Sequence, residues 1–219
     1  MELSLRLRGM SFGGAAVLGP LDLEVARGET VAVLGPSGIG KSTLLRIAAG
    51  LETRFDGTRD VPGRAAMVFQ EPTLLPWRTV LANLTLTTGA GEARAREALD
   101  EVGLGGMEGR WPASLSLGQQ RRLSLARAFL AEPDLLLMDE PFVSLDAALA
   151  EEMMALFEAL RGRRELATLL VTHVEREAER LASRTVRLSG SPARIAEPPA
   201  YMTGAYRQSS ASGVMTSRS

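Results

Sequence analysis

Nine consecutive residues, Gly35-Pro36-Ser37-Gly38-Ile39-Gly40-Lys41-Ser42-Thr43, restrict what this chain can fold into more than any other stretch. They stand between a β-branched apolar run, Thr30 to Leu34, and a segment of helical content, Lys41 to Ala49, that stops at Gly50. A buried strand that turns through glycines into a helix is the setting of a phosphate-binding loop. The glycines let the backbone wrap closely, so that successive N–H groups and the helix N-terminus face negative charge. In that pattern Lys41, the only lysine in the chain, reaches the β and γ phosphates of a nucleotide. The Ser42 hydroxyl is then placed to ligate Mg²⁺.

The rest of the chain supplies the sheet that such a loop needs. Leu3, Leu5 and Leu7 alternate with polar neighbours, as do Leu21, Leu23 and Val25, which is the period of half-buried strands. Ala65 to Phe69, Asp134 to Met138, Ala167 to Thr172 and Thr185 to Leu188 read as further strands. Helical stretches run from about Asp146 to Arg161 and, after the Ala167 to Thr172 strand, through Leu181. Strands alternating with helices imply a parallel sheet covered on both faces. The expected fold is α/β: a P-loop NTPase core with a mostly parallel sheet, an N-terminal antiparallel β part and a helical insertion. The insertion is expected at about 72–131, where Pro72, Pro76, Gly89, Gly91 and Pro112 interrupt the β/α texture and Glu92 to Val102 carries helix formers. One domain is expected over 1–190. The segment 191–219, with Pro192, Pro198 and Pro199 and a Ser, Thr and Gly-rich end, is expected to be a flexible tail.

Composition narrows the partners. With 25 basic against 26 acidic residues the net charge is −1, which gives no electrostatic reason to expect nucleic acid. No cysteine is present, so disulfides and thiolate metal sites are excluded, in keeping with a reducing compartment. The N-terminal segment has a strand period and lacks the apolar run of a secretory signal. No run reaches the length of a membrane-spanning helix, so a membrane role is expected to come through a separate partner.

A second group of acids follows an apolar strand: Leu135-Leu136-Leu137-Met138-Asp139-Glu140-Pro141. The carboxyl end of a strand is where ligands bind in open parallel sheets. Asp139 suits a Mg²⁺ carboxylate, and Glu140 suits the orientation of an attacking water. Read in isolation, Asp-Glu-Pro is an ordinary polar turn; beside a phosphate loop it becomes half of a nucleotide hydrolysis site.

Together these residues resemble the nucleotide-binding subunit of ATP-binding-cassette (ABC) transporters, over about Leu3 to Leu188. Gln70 is similar to the family's glutamine loop, which implies contact with Mg²⁺, the water and the membrane partner. Leu115-Ser116-Leu117-Gly118-Gln119 resembles the signature segment, which implies that Ser116, Gly118 and Gln119 bind the nucleotide held by a second subunit. Ser144-Leu145-Asp146 is similar to the D-loop, and His173, the sole histidine, to the switch histidine at the γ-phosphate. Phe12 stands where the family stacks an aromatic on adenine; the alternative is a loop-anchoring core residue. Two positions depart from the pattern: Leu117 replaces a glycine, and Val174 replaces an aspartate common after the histidine.

The resemblance implies an ATPase that uses ATP and Mg²⁺, works as a homodimer, and is peripheral on the cytoplasmic face of the membrane against integral permease subunits. Phe69-Gln70-Glu71-Pro72-Thr73-Leu74-Leu75-Pro76-Trp77-Arg78-Thr79-Val80 is similar to the loop of importers of nitrate, sulfonates and taurine. That implies import, with an extracytoplasmic solute-binding protein as an indirect partner. The alternatives are a soluble non-transport ATPase of the same family and the ATPase of an exporter. Leu75 and Trp77 have an alternative role as packing residues of the insertion.

Overall fold

The structure is a computed structural model that describes residues 1–162 and 164–196. Strands β1 (Leu3–Phe12), β2 (Ala15–Leu18) and β3 (Leu21–Val25) open the chain, followed by β4 (Thr30–Leu34) and helix α1 (Lys41–Ala48). Strands β5 (Asp56–Asp60) and β6 (Ala65–Val68) lead to helices α2 (Val80–Thr88), α3 (Glu92–Glu101) and α4 (Leu117–Leu130). The chain then runs through β7 (Leu135–Asp139), α5 (Ala147–Arg161), β8 (Ala167–Thr172), α6 (Glu175–Leu181), β9 (Arg184–Ser189) and β10 (Arg194–Ile195).

Two sheets form. In the first, β1 pairs antiparallel with β2, β3 and β5. In the second the order is β10-β9-β4-β8-β7-β6, parallel except for the antiparallel edge strand β10. This is the mixed α/β arrangement expected: an antiparallel N-terminal sheet, a mostly parallel sheet and helices inserted between β6 and β7. Strand β5, Asp-Gly-Thr-Arg-Asp, has no apolar alternation and was not expected; its pairing to β1 makes it a strand.

Because side chains alternate along a strand, β7 feeds two cores. Leu135 and Leu137 pack with α1 and the antiparallel sheet, whereas Leu136 and Met138 pack with α4, α5 and the inserted helices. Helices α1 and α4 therefore lie on opposite faces of the parallel sheet. Each buried leucine in these layers contributes roughly 1.5–3 kcal/mol of transfer free energy, and all of β4 and β8 is buried.

The residues after Gly190 do not begin as the flexible tail expected from 191. Arg194 and Ile195 pair with Ser189 and Leu188, and Ala193 is buried with backbone hydrogen bonds to Val17 and Gly19. Paired backbone thus continues beyond Gly190 and ties the two sheets together. The remainder of that expectation, 197–219, lies outside the described residues. Among the described residues no helix is long and apolar enough to cross a membrane.

Candidate functional site

Strands β4, β8, β7 and β6 lie side by side and parallel, so their carboxyl ends open on one edge of the sheet. Leu34 is paired with Thr172 and Asp139 with Val171, which brings the loop after β4, the acids after β7 and His173 after β8 to one level. Gln70 follows β6 at the same edge and is exposed.

The loop between β4 and α1 owes its path to its glycines. Gly40 has φ 109°, a conformation open to glycine, and a Cβ there would come within 2.9 Å of Leu18. Lys41 is buried and its ammonium donates to the carbonyls of Gly35 (2.9 Å) and Pro36 (3.0 Å). Its Nζ also lies 3.2 Å from Glu140 Oε1. An ammonium has three protons, and these three oxygens match them.

Glu140 lies at the meeting point of the site. Its second oxygen, Oε2, is 2.9 Å from Nδ1 of His173. A carboxylate only accepts, so the proton of this contact sits on Nδ1. The backbone of Glu140 has φ 45°, and its N–H donates to Val171 O. A non-glycine residue in this region carries a strain of about 1–3 kcal/mol; here it turns the acid back over the strand ends, between lysine and histidine.

Asp139 and Ser42 form a separate oxygen pair: the serine hydroxyl donates to Asp139 Oδ1 at 3.0 Å. Burial holds the Asp139 carboxyl above the ordinary carboxylate range, the Ser42 hydrogen bond opposes this, and the neighbouring charge of Glu140 adds to it. One carboxylate and one hydroxyl, both hard oxygen donors, fit a Mg²⁺ ion that keeps waters and shares phosphate oxygens. Among the described residues no cluster of three or more acids, histidines or cysteines forms an all-protein metal cage.

The remaining expected residues are not all at this edge. Ser116 caps α4: its Oγ accepts from the Gln119 N–H at 3.2 Å, and the Gln119 side chain accepts from the Ser116 N–H at 2.9 Å. This reciprocal pair satisfies two of the free donors of the helix start. Gly118 lies against Leu149 of α5, where a Cβ would meet a methyl at 3.0 Å. Leu117 is 46% exposed and is not among the positive-φ residues, so the fold accommodates a side chain there. The Ser116 hydroxyl keeps its own proton and remains free to donate outward.

Phe12, at the tip of the β1–β2 hairpin, is 54% exposed and carries the Arg54 guanidinium 5.6 Å from its ring centre. It is not a core residue. Asp146 of the segment Ser144-Leu145-Asp146 caps α5 by accepting from the Leu149 N–H at 2.9 Å.

Sequence reasoning missed the residues that shape the loop after Gln70. Arg127 of α4 donates to the carbonyls of Pro72 (3.0 Å) and Thr73 (2.8 Å), and burial lowers its pKa. Asn83, fully buried in α2, bonds both the N–H and the carbonyl of Leu75 and the carbonyls of Arg78 and Thr79. A lone amide in the apolar run Val80-Leu81-Ala82-Asn83-Leu84 was the available signal. These bonds leave Trp77 66% exposed at the surface.

A phosphate-binding loop, an acid pair and a histidine converging on one sheet edge have counterparts among known proteins. The family model for the ABC transporter matches residues 18–143, more than half of the 219-residue chain. The chain belongs to the ABC transporter family. It is 53% identical over 192 residues to the aliphatic sulfonates import ATP-binding protein SsuB of Mycobacterium sp. (strain MCS), covering 84% of this chain and 78% of that protein. It is 48% identical over 195 residues to the aliphatic sulfonates import ATP-binding protein SsuB 3 of Nocardia farcinica (strain IFM 10152), covering 88% of this chain and 78% of the relative. Within the ABC transporter family this chain is an ATP-binding subunit whose ATPase activity is coupled to transport.

The departure at Val174 has a local consequence. Val174 occupies the N-cap of α6 with extended backbone and no side-chain cap. Val174→Asp supplies a carboxylate at a position whose backbone already suits it, worth about 1 kcal/mol. The midpoint of thermal unfolding is expected to rise by about 2–4 °C; an unchanged midpoint would show that no cap forms.

Proposed function

We propose that this chain is the ATP-hydrolysing subunit of an importer of aliphatic sulfonates, with two copies closing around two ATP molecules at the cytoplasmic face of a permease. The observation that carries the reading is the Lys41–Glu140–His173 cluster at the carboxyl ends of β4, β7 and β8. The solute class rests on relatives whose names specify aliphatic sulfonate import.

Glu140 is held on both oxygens, by Lys41 and by His173. The phosphates of ATP are stronger acceptors for Lys41 than a carboxylate that must be shared. Nucleotide entry draws the lysine away and frees Oε1 of Glu140 to accept from the attacking water. His173 donates from Nδ1 to the opposite oxygen and so fixes the carboxylate plane beside the γ-phosphate. The loop amides from Gly38 to Thr43 and the N-terminus of α1 bind the phosphate chain, and Phe12 supports the adenine ring. Asp139 and Ser42 would hold Mg²⁺, with Gln70 as a third oxygen; bound there, the ion neutralises phosphate charge.

Ser116, Gly118 and Gln119 begin α4 on the sheet face opposite α1. An anion-binding helix start so placed suits the nucleotide of a second copy. The permease is read into a groove of about 500 Å³ beside Gln70, lined by Leu51, Met67, Phe69, Thr73, Leu75 and Thr87 among others. Its rim carries exposed apolar side chains at Leu51, and Trp77 stands exposed nearby in the loop. An apolar groove of this kind accepts the apolar face of a partner helix. An extracytoplasmic binding protein would deliver the solute, which never touches this chain.

The test is purification of the tagged chain from membranes, with identification of the attached membrane protein, and uptake of a labelled alkanesulfonate in cells with and without the gene. Co-purification with a permease and loss of sulfonate uptake are expected. A chain recovered alone, with uptake unchanged, would favour the soluble ATPase reading, and loss of solute efflux would favour the exporter.

A further inference from the structure

His173 leaves β8 on a turn that is held from behind by two buried polar side chains. Thr172, the last residue of β8, is fully buried, and its hydroxyl lies 2.5 Å from Glu177 Oε2. Thr172 Oγ1 also accepts from the Val174 N–H at 3.0 Å. The hydroxyl is therefore pinned on both sides of the histidine: its proton points to α6 and its lone pair to the first peptide after His173. Glu177 is only 5% exposed, and its carboxylate accepts from the Thr172 hydroxyl. Burial raises its pKa, against the Thr172 hydrogen bond and the nearby His173. A buried carboxyl is costly where a leucine would pack without penalty, so a positional role accounts for it.

The reason such a device is needed lies at Val174. The first residue of the α6 entry has no side chain able to cap the helix. The turn that aims His173 at Glu140 is thus fixed by Thr172 and Glu177 in place of a capping carboxylate. Helix α6 is itself anchored: Glu175 pairs with Arg187 of β9 through two bonds of 2.6 and 2.7 Å, so the brace stands on a fixed support.

We infer that Glu177 is a positioning residue for the hydrolytic histidine, acting through the Thr172 hydroxyl to hold His173 Nδ1 against Glu140. The inference rests on the reading of His173 as the group that pairs with Glu140 at the γ-phosphate.

The chain has a single histidine, so imidazole ¹⁵N resonances of the full chain report this ring alone. In the unaltered chain the ring is expected in the Nδ1-protonated form that Glu140 selects. In Glu177→Leu and in Thr172→Val the Nδ1 shift is expected to move toward that of an exchanging ring. Glu177→Gln keeps an acceptor for Thr172 and is expected to restore the resonance. In parallel, kcat for ATP is expected to fall about tenfold in Glu177→Leu at unchanged KM, the scale of a misplaced catalytic group. The double variant is expected to lose no more than either single one. A ring resonance that stays in place in Glu177→Leu overturns the inference, whatever happens to the rate. A moved resonance in a chain that hydrolyses no ATP would overturn the ATPase reading and leave the brace standing.

Discussion

Glu140→Gln is expected to lower ATP turnover by about 10²–10⁴-fold, the range of a lost general base, while ATP binding persists. Glu140 is the acid that touches both Lys41 (3.2 Å) and His173 (2.9 Å), and its backbone is turned into a strained conformation to do so. Glutamine keeps the shape, so the strand end and the phosphate loop stay in place. It cannot, however, accept on both oxygens: one arm becomes an amide that repels Lys41 or His173 and cannot take a proton from water. On the proposed reading phosphate affinity rests on Lys41 and the loop amides, so it is expected to be retained. ATP bound without hydrolysis should then hold two copies together, and size-exclusion chromatography with ATP should show a dimer that the unaltered chain forms only transiently. Normal turnover in the variant would remove Glu140 from the water-orienting role.

What could be read from sequence followed the strength of each local signal. Leu3, Leu5 and Leu7 alternate because β1 is buried on one side, and Val31 to Leu34 is apolar throughout because β4 is covered on both. The acid pair was legible since it ends such a run. Strand β5 was not, because an edge strand that pairs through its backbone needs no apolar side chains. Helix α2 was hidden by the prolines before it; its start is set by Thr79, whose Oγ1 accepts from the Ala82 N–H. Strand β10 was hidden by its proline- and serine-rich neighbours, though Ala193 is buried against β2.

Polar side chains that act at a distance were the least legible part of the site. Arg127 and Glu177 carry no pattern of their own, Asn83 only its isolation in an apolar run, and each matters through carbonyls or hydroxyls that the fold brings to it. Composition would class Glu177 with the exposed acids of a charged helix. Its burial follows only from where α6 packs, against β4 and β8. Conversely, Phe12 could be read from sequence as a buried anchor or a base platform, and its exposure under Arg54 removes the anchor.

Ser116→Arg is expected to abolish hydrolysis, by about 10²-fold or more as for a lost charge-stabilising donor, without weakening ATP binding to the isolated monomer. Ser116 is the N-cap of α4, so replacement by arginine or alanine loses the bond to the Gln119 N–H, at about 1 kcal/mol. Ser116→Ala carries that loss alone and serves as the control. The arginine adds bulk and a charge where a second copy would present its γ-phosphate. Mixing two inactive chains then distinguishes the arrangements. A chain with Ser116→Arg retains Lys41, Asp139, Glu140 and His173; a chain with Glu140→Gln retains Ser116. If each ATP lies between the phosphate loop of one copy and the α4 start of the other, the mixed dimer contains one intact site, and part of the activity returns. If each chain uses its own Ser116, both sites in the mixture are broken, nothing returns, and Ser116→Arg weakens binding to the monomer. Helices α1 and α4 pack on opposite faces of the sheet, which favours recovery of activity on mixing.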